Sequence, residues 1–110
     1  MAVSGKPLTF VGHVHHQVLY YSDEENKVRS FAPVLNVAIP LMLRRRQWLA
    51  IAGSVGQPRD GNPAAAYGVL DTDANELSFV RVPYDVDKAA AKIRRAGLPD
   101  SLWRRLSIGR

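Results

Sequence analysis

The segment Leu8-Thr9-Phe10-Val11-Gly12-His13-Val14-His15-His16-Gln17 decides how the rest of the chain is interpreted. A short apolar run of β-strand character ends at a glycine, and all three histidines of the chain follow it. Because a strand places residues i and i+2 on the same face, His13 and His15 are predicted to project together from a strand end. Gly12 would allow the backbone to turn sharply there. Two adjacent imidazoles form one edge of a metal site, which needs about four to six ligands.

The composition is that of one globular domain. A chain of 110 residues can bury a core of moderate size, and 46% hydrophobic with 23% charged residues is not the composition of a disordered protein. The absence of cysteine excludes disulfides, thiolate metal sites and cysteine nucleophiles. No apolar run approaches the roughly 18 residues of a membrane span. The first residues lack the hydrophobic region of a signal peptide, so a cytoplasmic protein without membrane contact is expected.

The net charge of +5 raises the question of nucleic-acid binding. The positive charge is grouped at 44–46, 92–95 and 104–105. No aromatic residues interleave these clusters, as a platform for stacking single-stranded bases would require. The pattern favours solvated helix faces that attract phosphorylated ligands weakly, and nucleic acid is not the expected partner.

Apolar periodicity predicts five or six strands between residues 8 and 82, followed by two helices at about 85–96 and 99–106. The segment 72–75 is predicted to be a hairpin turn between the last two strands. In the second of these strands both faces are partly apolar, which predicts a sheet covered on both sides. The apolar run 33–43 carries two prolines and is predicted to be a buried connection followed by a short strand or helical turn.

The first helix has clear end signals. Asp85 is a favourable N-cap, an apolar stripe follows at a spacing of three to four, and Gly97 is a typical C-terminal glycine. The sequence Leu98-Pro99-Asp100 opens the second helix.

Two motifs carry the candidate chemistry, and each has an ordinary structural alternative. His13 and His15 are either metal ligands or polar residues at an exposed strand end. A cupin site is excluded because Leu19 and Tyr20 stand where its glutamate is needed and no histidine follows His16. The glycines and prolines of the loop 53–63 either only form turns, or they allow backbone N–H groups to approach an anion closely. It is not a P-loop, because no Gly-Lys-Ser/Thr follows.

Three segments taken in order resemble one family. They are Gly12-His13-Val14-His15-His16-Gln17, then Gly53-Ser54-Val55-Gly56-Gln57-Pro58-Arg59-Asp60-Gly61-Asn62-Pro63 with Ala66-Tyr67, then Val82-Pro83-Tyr84-Asp85 and its helix. They are similar to the C-terminal part of small bacterial calcineurin-like metallophosphoesterases, over residues 8 to 106. The resemblance implies an α+β fold, part of a four-layer α/β/β/α sandwich of mostly antiparallel strands followed by two helices, with 1–110 as a single partial domain.

The resemblance also implies the chemistry. Members of the family hydrolyse phosphomonoesters or phosphodiesters at two divalent metal ions, for which Mn, Fe, Zn, Ni and Mg are candidates. By this resemblance residues 12–15 are the GHxH motif, with His13 on one metal and His15 on the other. His16 is assigned to a second-shell or substrate-side role. Gly53 and Ser54 match the family's glycine-serine loop, and Arg59 is expected to brace that loop or to face the substrate.

The other motifs of the family are missing. The sequence contains no DxH, GDxxD or GNH(E/D), so no complete catalytic set is present, and negligible hydrolase activity is expected of the isolated chain. An uncovered apolar face, such as 34–43, is also expected.

Three interpretations stay open. The chain is the C-terminal portion of a phosphoesterase that an N-terminal half completes, acting on a phosphorylated small molecule. Alternatively it is a truncated, non-catalytic binding or self-associating module. The third interpretation is a small basic nucleic-acid-binding domain.

Overall fold

In the computed structural model, which describes residues 6–110, seven strands form two sheets and two helices follow them. The strands are β1 (Leu8–Val11), β2 (Gln17–Ser22), β3 (Val28–Phe31), β4 (Ile39–Pro40), β5 (Trp48–Ala52), β6 (Ala65–Asp71) and β7 (Glu76–Val82), and the helices are α1 (Val86–Arg95) and α2 (Asp100–Ile108). The predicted α+β arrangement of mostly antiparallel strands followed by two helices is confirmed.

The first sheet, called sheet A, has the strand order β1-β5-β2-β3. β1 and β5 run parallel, with Leu8 opposite Trp48, whereas β2 runs antiparallel to both β5 and β3. The carboxyl ends of β1 and β5 therefore lie at the same end of the sheet as the start of β2. This topology brings the histidine segment, which joins β1 to β2, next to the glycine loop that follows β5.

The second sheet, called sheet B, has the order β4-β7-β6. β6 and β7 form the predicted hairpin, in which Leu70 lies opposite Leu77. The Asp71 carboxylate accepts hydrogen bonds from the N–H groups of Asp73 and Ala74, each at 3.0 Å, and the φ of Asn75 is 53°. Side-chain acceptance at the first position and a positive φ at Asn are both features of tight turns.

The core lies between the two sheets. Its largest fully buried side chains are Leu19 from sheet A and Leu77 and Phe79 from sheet B. Leu41, Trp48 and Ala50 complete the cluster. The Gln17 side chain is also buried, and its amide N–H donates to the carbonyls of Tyr67 at 3.4 Å and Val80 at 3.3 Å. Because Gln17 belongs to β2 and its acceptors to β6 and β7, this amide joins the sheets.

The run 33–43 differs from its prediction as a buried connection. Val34 and Val37 are 69% and 50% exposed, and only the two-residue strand β4 forms. Pro40 has no N–H to donate, which confines β4 to the edge of sheet B. The exposure of Val34 and Val37 agrees with the expectation of an apolar face that lacks its cover.

The predicted cover on both faces of sheet B is wrong for residues 6–110. Leu77 and Phe79 are buried on the inner face, but Tyr67, Val69 and Val82 on the outer face are 40%, 49% and 43% exposed. The two faces of the strand alternate as predicted, but no element of the described chain buries the second face.

Both helices form next to the predicted positions. The Asp85 carboxylate accepts from the N–H of Lys88 at 3.0 Å and caps α1. α2 runs two residues beyond the predicted end, and the N–H of Gly61 donates to the carbonyl of Gly109 at 2.8 Å. This bond joins the end of α2 to the glycine loop. No helix within residues 6–110 is long and apolar enough to cross a membrane.

Candidate functional site

His13 lies in a tight turn and not in a strand. β1 ends at Val11, the φ of His13 is 72°, and the N–H of Val14 donates to the carbonyl of Gly12 at 2.9 Å. These features define a three-residue γ-turn with positive φ at its centre, which is a rare form. The prediction that His13 and His15 share a strand face is therefore wrong, because the two-residue alternation holds only for extended backbone.

The residue with positive φ in this turn is His13, and not Gly12 before it. Gly12 has no positive φ, and nothing lies within 4 Å of the position its Cβ would take. A side chain larger than hydrogen at positive φ costs of order 1–3 kcal/mol, and such residues cluster at functional sites. His13 is an exposed residue. The fold thus holds this imidazole outward on a strained backbone.

We expect His13→Gly to raise the free energy of unfolding by about 0.5–1 kcal/mol, because glycine adopts positive φ without steric cost. Urea denaturation measures this change. Asn36→Gly is the matched control, since Asn36 has a φ of 61° and lies outside the histidine segment. A loss of stability in His13→Gly, with a gain in Asn36→Gly, would show that contacts within this chain retain the His13 ring.

His15 is held by two hydrogen bonds to the glycine loop. Its Nδ1 lies 2.7 Å from the carbonyl oxygen of Gln57, and its own carbonyl accepts from the N–H of Arg59 at 3.0 Å. A carbonyl oxygen only accepts, so Nδ1 carries the proton. In a neutral imidazole the lone pair is then on Nε2. A backbone acceptor on one ring nitrogen is the usual support of a histidine that binds metal through the other.

The loop that holds His15 is itself hydrogen-bonded. The Gln57 N–H donates to Ser54 Oγ at 2.9 Å, and the Gln57 side-chain carbonyl accepts from the Arg59 guanidinium at 2.9 Å. The Ser54 carbonyl accepts from the N–H of Ala66, the second residue of β6, at 3.0 Å. Ser54, Gln57 and Arg59 therefore form a continuous support between β6 and the His15 ring.

Gly53 starts this loop where no side chain fits. Its φ is 89°, and a Cβ there would lie 2.9 Å from the Ala66 Cβ and 3.0 Å from the Gln17 Cγ. The loop can therefore leave β5 in this direction only with glycine at this position. Gly53 sets the approach of the loop to both β2 and β6.

Arg81 holds the far side of the loop. Its side chain is 6% exposed and donates to the Asp60 carboxylate, to the Asn62 carbonyl at 2.6 Å and to the Ala64 carbonyl at 2.8 Å. Partial burial acts to raise the pKa of the Asp60 carboxyl, but the hydrogen bond and positive charge of Arg81 outweigh it and hold that pKa below its usual value. The ionised Asp60 carboxylate therefore ties the loop to Arg81 of β7.

The residues present do not make a complete metal centre. Within the chain from Lys6 to Arg110, no three His, Asp or Glu side chains lie close enough together to hold a metal ion. His13 and His15 are two candidate donors, where about four to six ligands are needed. His16 is exposed just beyond them, immediately before β2.

Sequence reasoning missed three parts of this site. The roles of Gln17 and of the Gln57 carbonyl could not be predicted from residue types. The position of Gln17 depends on how the two sheets pack, and the Gln57 carbonyl is a backbone group that every residue has. The inward position of Arg81, in contrast, could be predicted from the alternation of β7. It continues the inward-facing alternation of Leu77 and Phe79, so an inward arginine with local acceptors could have been predicted.

Comparisons with known proteins place the chain. No family model matches it. An uncharacterised protein of Methanocaldococcus jannaschii is 37% identical over 103 residues, which are 94% of this chain and 40% of that protein. A metallophosphoesterase of Sphaerobacter thermophilus, known from a crystal structure, is similar with a TM-score of 0.84 and 37% identity, over 94% of this chain and 43% of that one.

A hypothetical protein of Pyrococcus horikoshii shares the fold alone, with a TM-score of 0.51 and 21% identity over 68% of this chain and 29% of that one. This chain spans only about two fifths of the length of the archaeal and Sphaerobacter proteins, at 40% and 43%. The resemblance inferred from the GHxH segment and the glycine loop is confirmed by similarity along nearly the entire chain. Over 94% of its length this chain is similar to a metallophosphoesterase, and the match fits the C-terminal portion of that fold.

Proposed function

We propose that this chain supplies His13 and His15 as ligands to the two-metal centre of a phosphoesterase, which residues outside the chain complete. The observation that carries the proposal is the Nδ1 hydrogen bond of His15 to Gln57, which leaves Nε2 available beside the exposed His13 turn. The proposed cofactor is a pair of divalent cations, and the proposed substrate is a phosphorylated small molecule.

Arg59 and His16 are proposed to lie on the substrate side. Arg59 is exposed, and its guanidinium has five N–H donors, of which the Gln57 amide takes one. The backbone N–H of Arg59 is hydrogen-bonded to the carbonyl of His15. This hydrogen bond fixes the position of the Arg59 backbone near the proposed ligands. A guanidinium in that place suits the oxygens of a phosphate ester.

The basic clusters support this proposal over nucleic-acid binding. The Arg46 guanidinium lies 4.9 Å from the centre of the Tyr21 ring. Arg94 and Arg104 lie 5.5 Å and 5.2 Å from the centre of the Trp103 ring. These guanidinium groups form cation–π contacts with the Tyr21 and Trp103 rings of the same chain. The ring faces in these contacts are not free to stack on nucleic-acid bases.

The proposal is tested with a fusion protein. The part of the Sphaerobacter metallophosphoesterase that this chain does not match is joined to the chain, and hydrolysis of bis(p-nitrophenyl) phosphate is measured with manganese. We expect turnover by the fusion and none by the isolated chain, because two imidazoles alone cannot assemble the centre. His15→Ala should lower kcat/KM by at least 100-fold.

Glu24→Ala is the control, since Glu24 is exposed in the turn between β2 and β3, at the other end of β2 from the histidine segment, and should change kcat/KM by less than about 2-fold. Metal-dependent turnover by the isolated chain that His13→Ala abolishes would overturn the proposal. So would an active fusion that tolerates the loss of both His13 and His15.

A non-catalytic, self-associating module is the second candidate. The exposed apolar outer face formed by Tyr67, Val69 and Val82 favours it. In that case every fusion lacks hydrolysis, and the isolated chain sediments as a dimer that Val69→Lys disrupts.

A further inference from the structure

The three consecutive arginines at 44–46 lie in a turn between β4 and β5. The prediction of a solvated helix face is wrong for this cluster, because no helix forms there. The Met42 carbonyl accepts from the N–H groups of Arg45 and Arg46, each at 2.9 Å. These backbone hydrogen bonds hold three like charges close together, against their mutual repulsion.

The arginine turn and the histidine segment lie at opposite ends of sheet A. The turn precedes β5 and the glycine loop follows it, so the five residues of β5 separate the two ends by about 16 Å. The Ser22 N–H donates to the Gln47 carbonyl at 3.0 Å, and the Gln47 N–H donates to Ser22 Oγ at 2.9 Å. These two bonds fix the turn to the end of β2. A small ligand bound here would not reach His13 or His15.

A surface cavity of about 360 Å³ opens beside this turn. That volume lies at the lower end of the range of small-molecule pockets, roughly 300–1,000 Å³. No Asp or Glu of the described chain lines the cavity. Its polar side chains all have hydrogen-bond donors, and they come from Ser22, Asn26, Arg44, Arg45, Arg46 and Gln47. We call this the arginine cavity.

The positive charges of the arginine cavity are not neutralised within the described chain. None of the three guanidinium groups forms an ion pair with a carboxylate between Lys6 and Arg110. The nearby Asp23 carboxylate binds the Arg29 guanidinium at 2.8 Å instead. Three cations therefore share one cavity without a counter-charge from this part of the chain.

The three arginines differ in how they are held. The Arg46 guanidinium lies over the Tyr21 ring, and Arg46 also borders a neighbouring cavity that contains carboxylates, including that of Glu24. Arg44 and Arg45 are exposed and do not border that acidic cavity. Their charges are consequently the ones most available to a ligand.

We propose that the arginine cavity binds the diphosphate group of a small ligand. Guanidinium groups bind phosphate oxygens through paired, charge-assisted hydrogen bonds. A diphosphate presents acceptor oxygens on two linked phosphorus atoms, so it engages more than one arginine at once, and the amides of Asn26 and Gln47 supply further donors. The inference does not rest on the proposed two-metal centre, which lies at the other end of the sheet.

Calorimetric titration of the full chain with inorganic pyrophosphate, in EDTA, tests the inference. We expect saturable binding of one pyrophosphate per chain. The double variant Arg44→Gln/Arg45→Gln should raise Kd by about 10-fold or more, because it removes charge-assisted hydrogen bonds. The matched control is Lys92→Gln/Arg95→Gln, which removes the same charge from exposed positions on α1 and should change Kd by less than about 2-fold.

Two further probes separate the ligand chemistry. Sulfate should bind at least about 10-fold more weakly than pyrophosphate, since it offers a single tetrahedral group. ADP should compete with pyrophosphate for the cavity. Tighter binding of ADP would assign the site to an organic diphosphate, and weaker binding would assign it to the free ion. Both orders agree with the inference, provided that Arg44→Gln/Arg45→Gln weakens both ligands.

Equal weakening by the two double variants overturns the inference, because pyrophosphate then responds only to net charge. Absence of saturable binding overturns it too, as does sulfate binding as tight as that of pyrophosphate. Loss of binding in His13→Ala/His15→Ala would place the anion at the histidine segment and also reject the cavity. If Arg44→Gln/Arg45→Gln does not fold by circular dichroism, amide chemical shifts of the wild type locate the site. Pyrophosphate must then shift residues 44–47 most, and largest shifts on α1 or in the histidine segment contradict the inference.

Discussion

Gly53→Ala is expected to lower the free energy of unfolding by about 3 kcal/mol, the sum of a backbone and a packing penalty. The backbone part arises because the φ of Gly53 is 89°, where an alanine is strained. The packing part arises because the new Cβ would lie 2.9 Å from the Ala66 Cβ. That neighbour belongs to β6 and cannot swing away as a long flexible side chain would.

The measurement is urea denaturation of the purified chain followed by circular dichroism. Gly56→Ala is the matched control in the same loop, since Gly56 has no positive φ and nothing lies within 4 Å of its Cβ position. We expect it to change the free energy of unfolding by less than 1 kcal/mol. Equal losses at the two glycines would contradict the close approach of the loop to β6.

Arg81→Met is expected to lower the free energy of unfolding at neutral pH by about 3 kcal/mol, since it breaks a largely buried ion pair and its hydrogen bonds. The Asp60 carboxylate and the carbonyls of Asn62 and Ala64 would lose their donor. Arg104→Met is the control. The Arg104–Asp100 pair at 3.6 Å is mostly exposed, so its loss should cost less than 1 kcal/mol.

The Arg81 interaction also predicts a pH dependence. Because the folded pKa of Asp60 is below its usual value, the pair stabilises the fold above the unfolded pKa of about 3.9. That contribution is lost as the pH falls through the lower, folded pKa. Denaturation between pH 7 and pH 2.5 should show a smaller loss of stability in Arg81→Met than in the wild type. An unchanged acid profile would refute the assignment.

The local elements of the fold could be predicted because short-range chemistry specifies them. Asp85 caps α1 through a bond to a residue three positions away, and the turn before β7 is set by Asp71 and Asn75. Residues 33–43 could not be predicted in the same way. Their apolar composition suggests burial, but burial depends on a neighbour that residues 6–110 do not supply.

The sequence by itself determined the order of the helices and of every strand except the two-residue β4, and it determined the motifs that resemble one family. Hydrophobic period, helix caps and motif spacing are properties of the chain alone. Only the tertiary structure decided how the site is built. The His15 ring is oriented by a carbonyl 42 residues away, and Arg81 binds the carboxylate of Asp60, 21 residues before it. The γ-turn at His13 replaced the expected strand end. These bonds join backbone atoms or distant segments, and only the packing of β5 between β1 and β2 brings the two motifs to one end of the sheet.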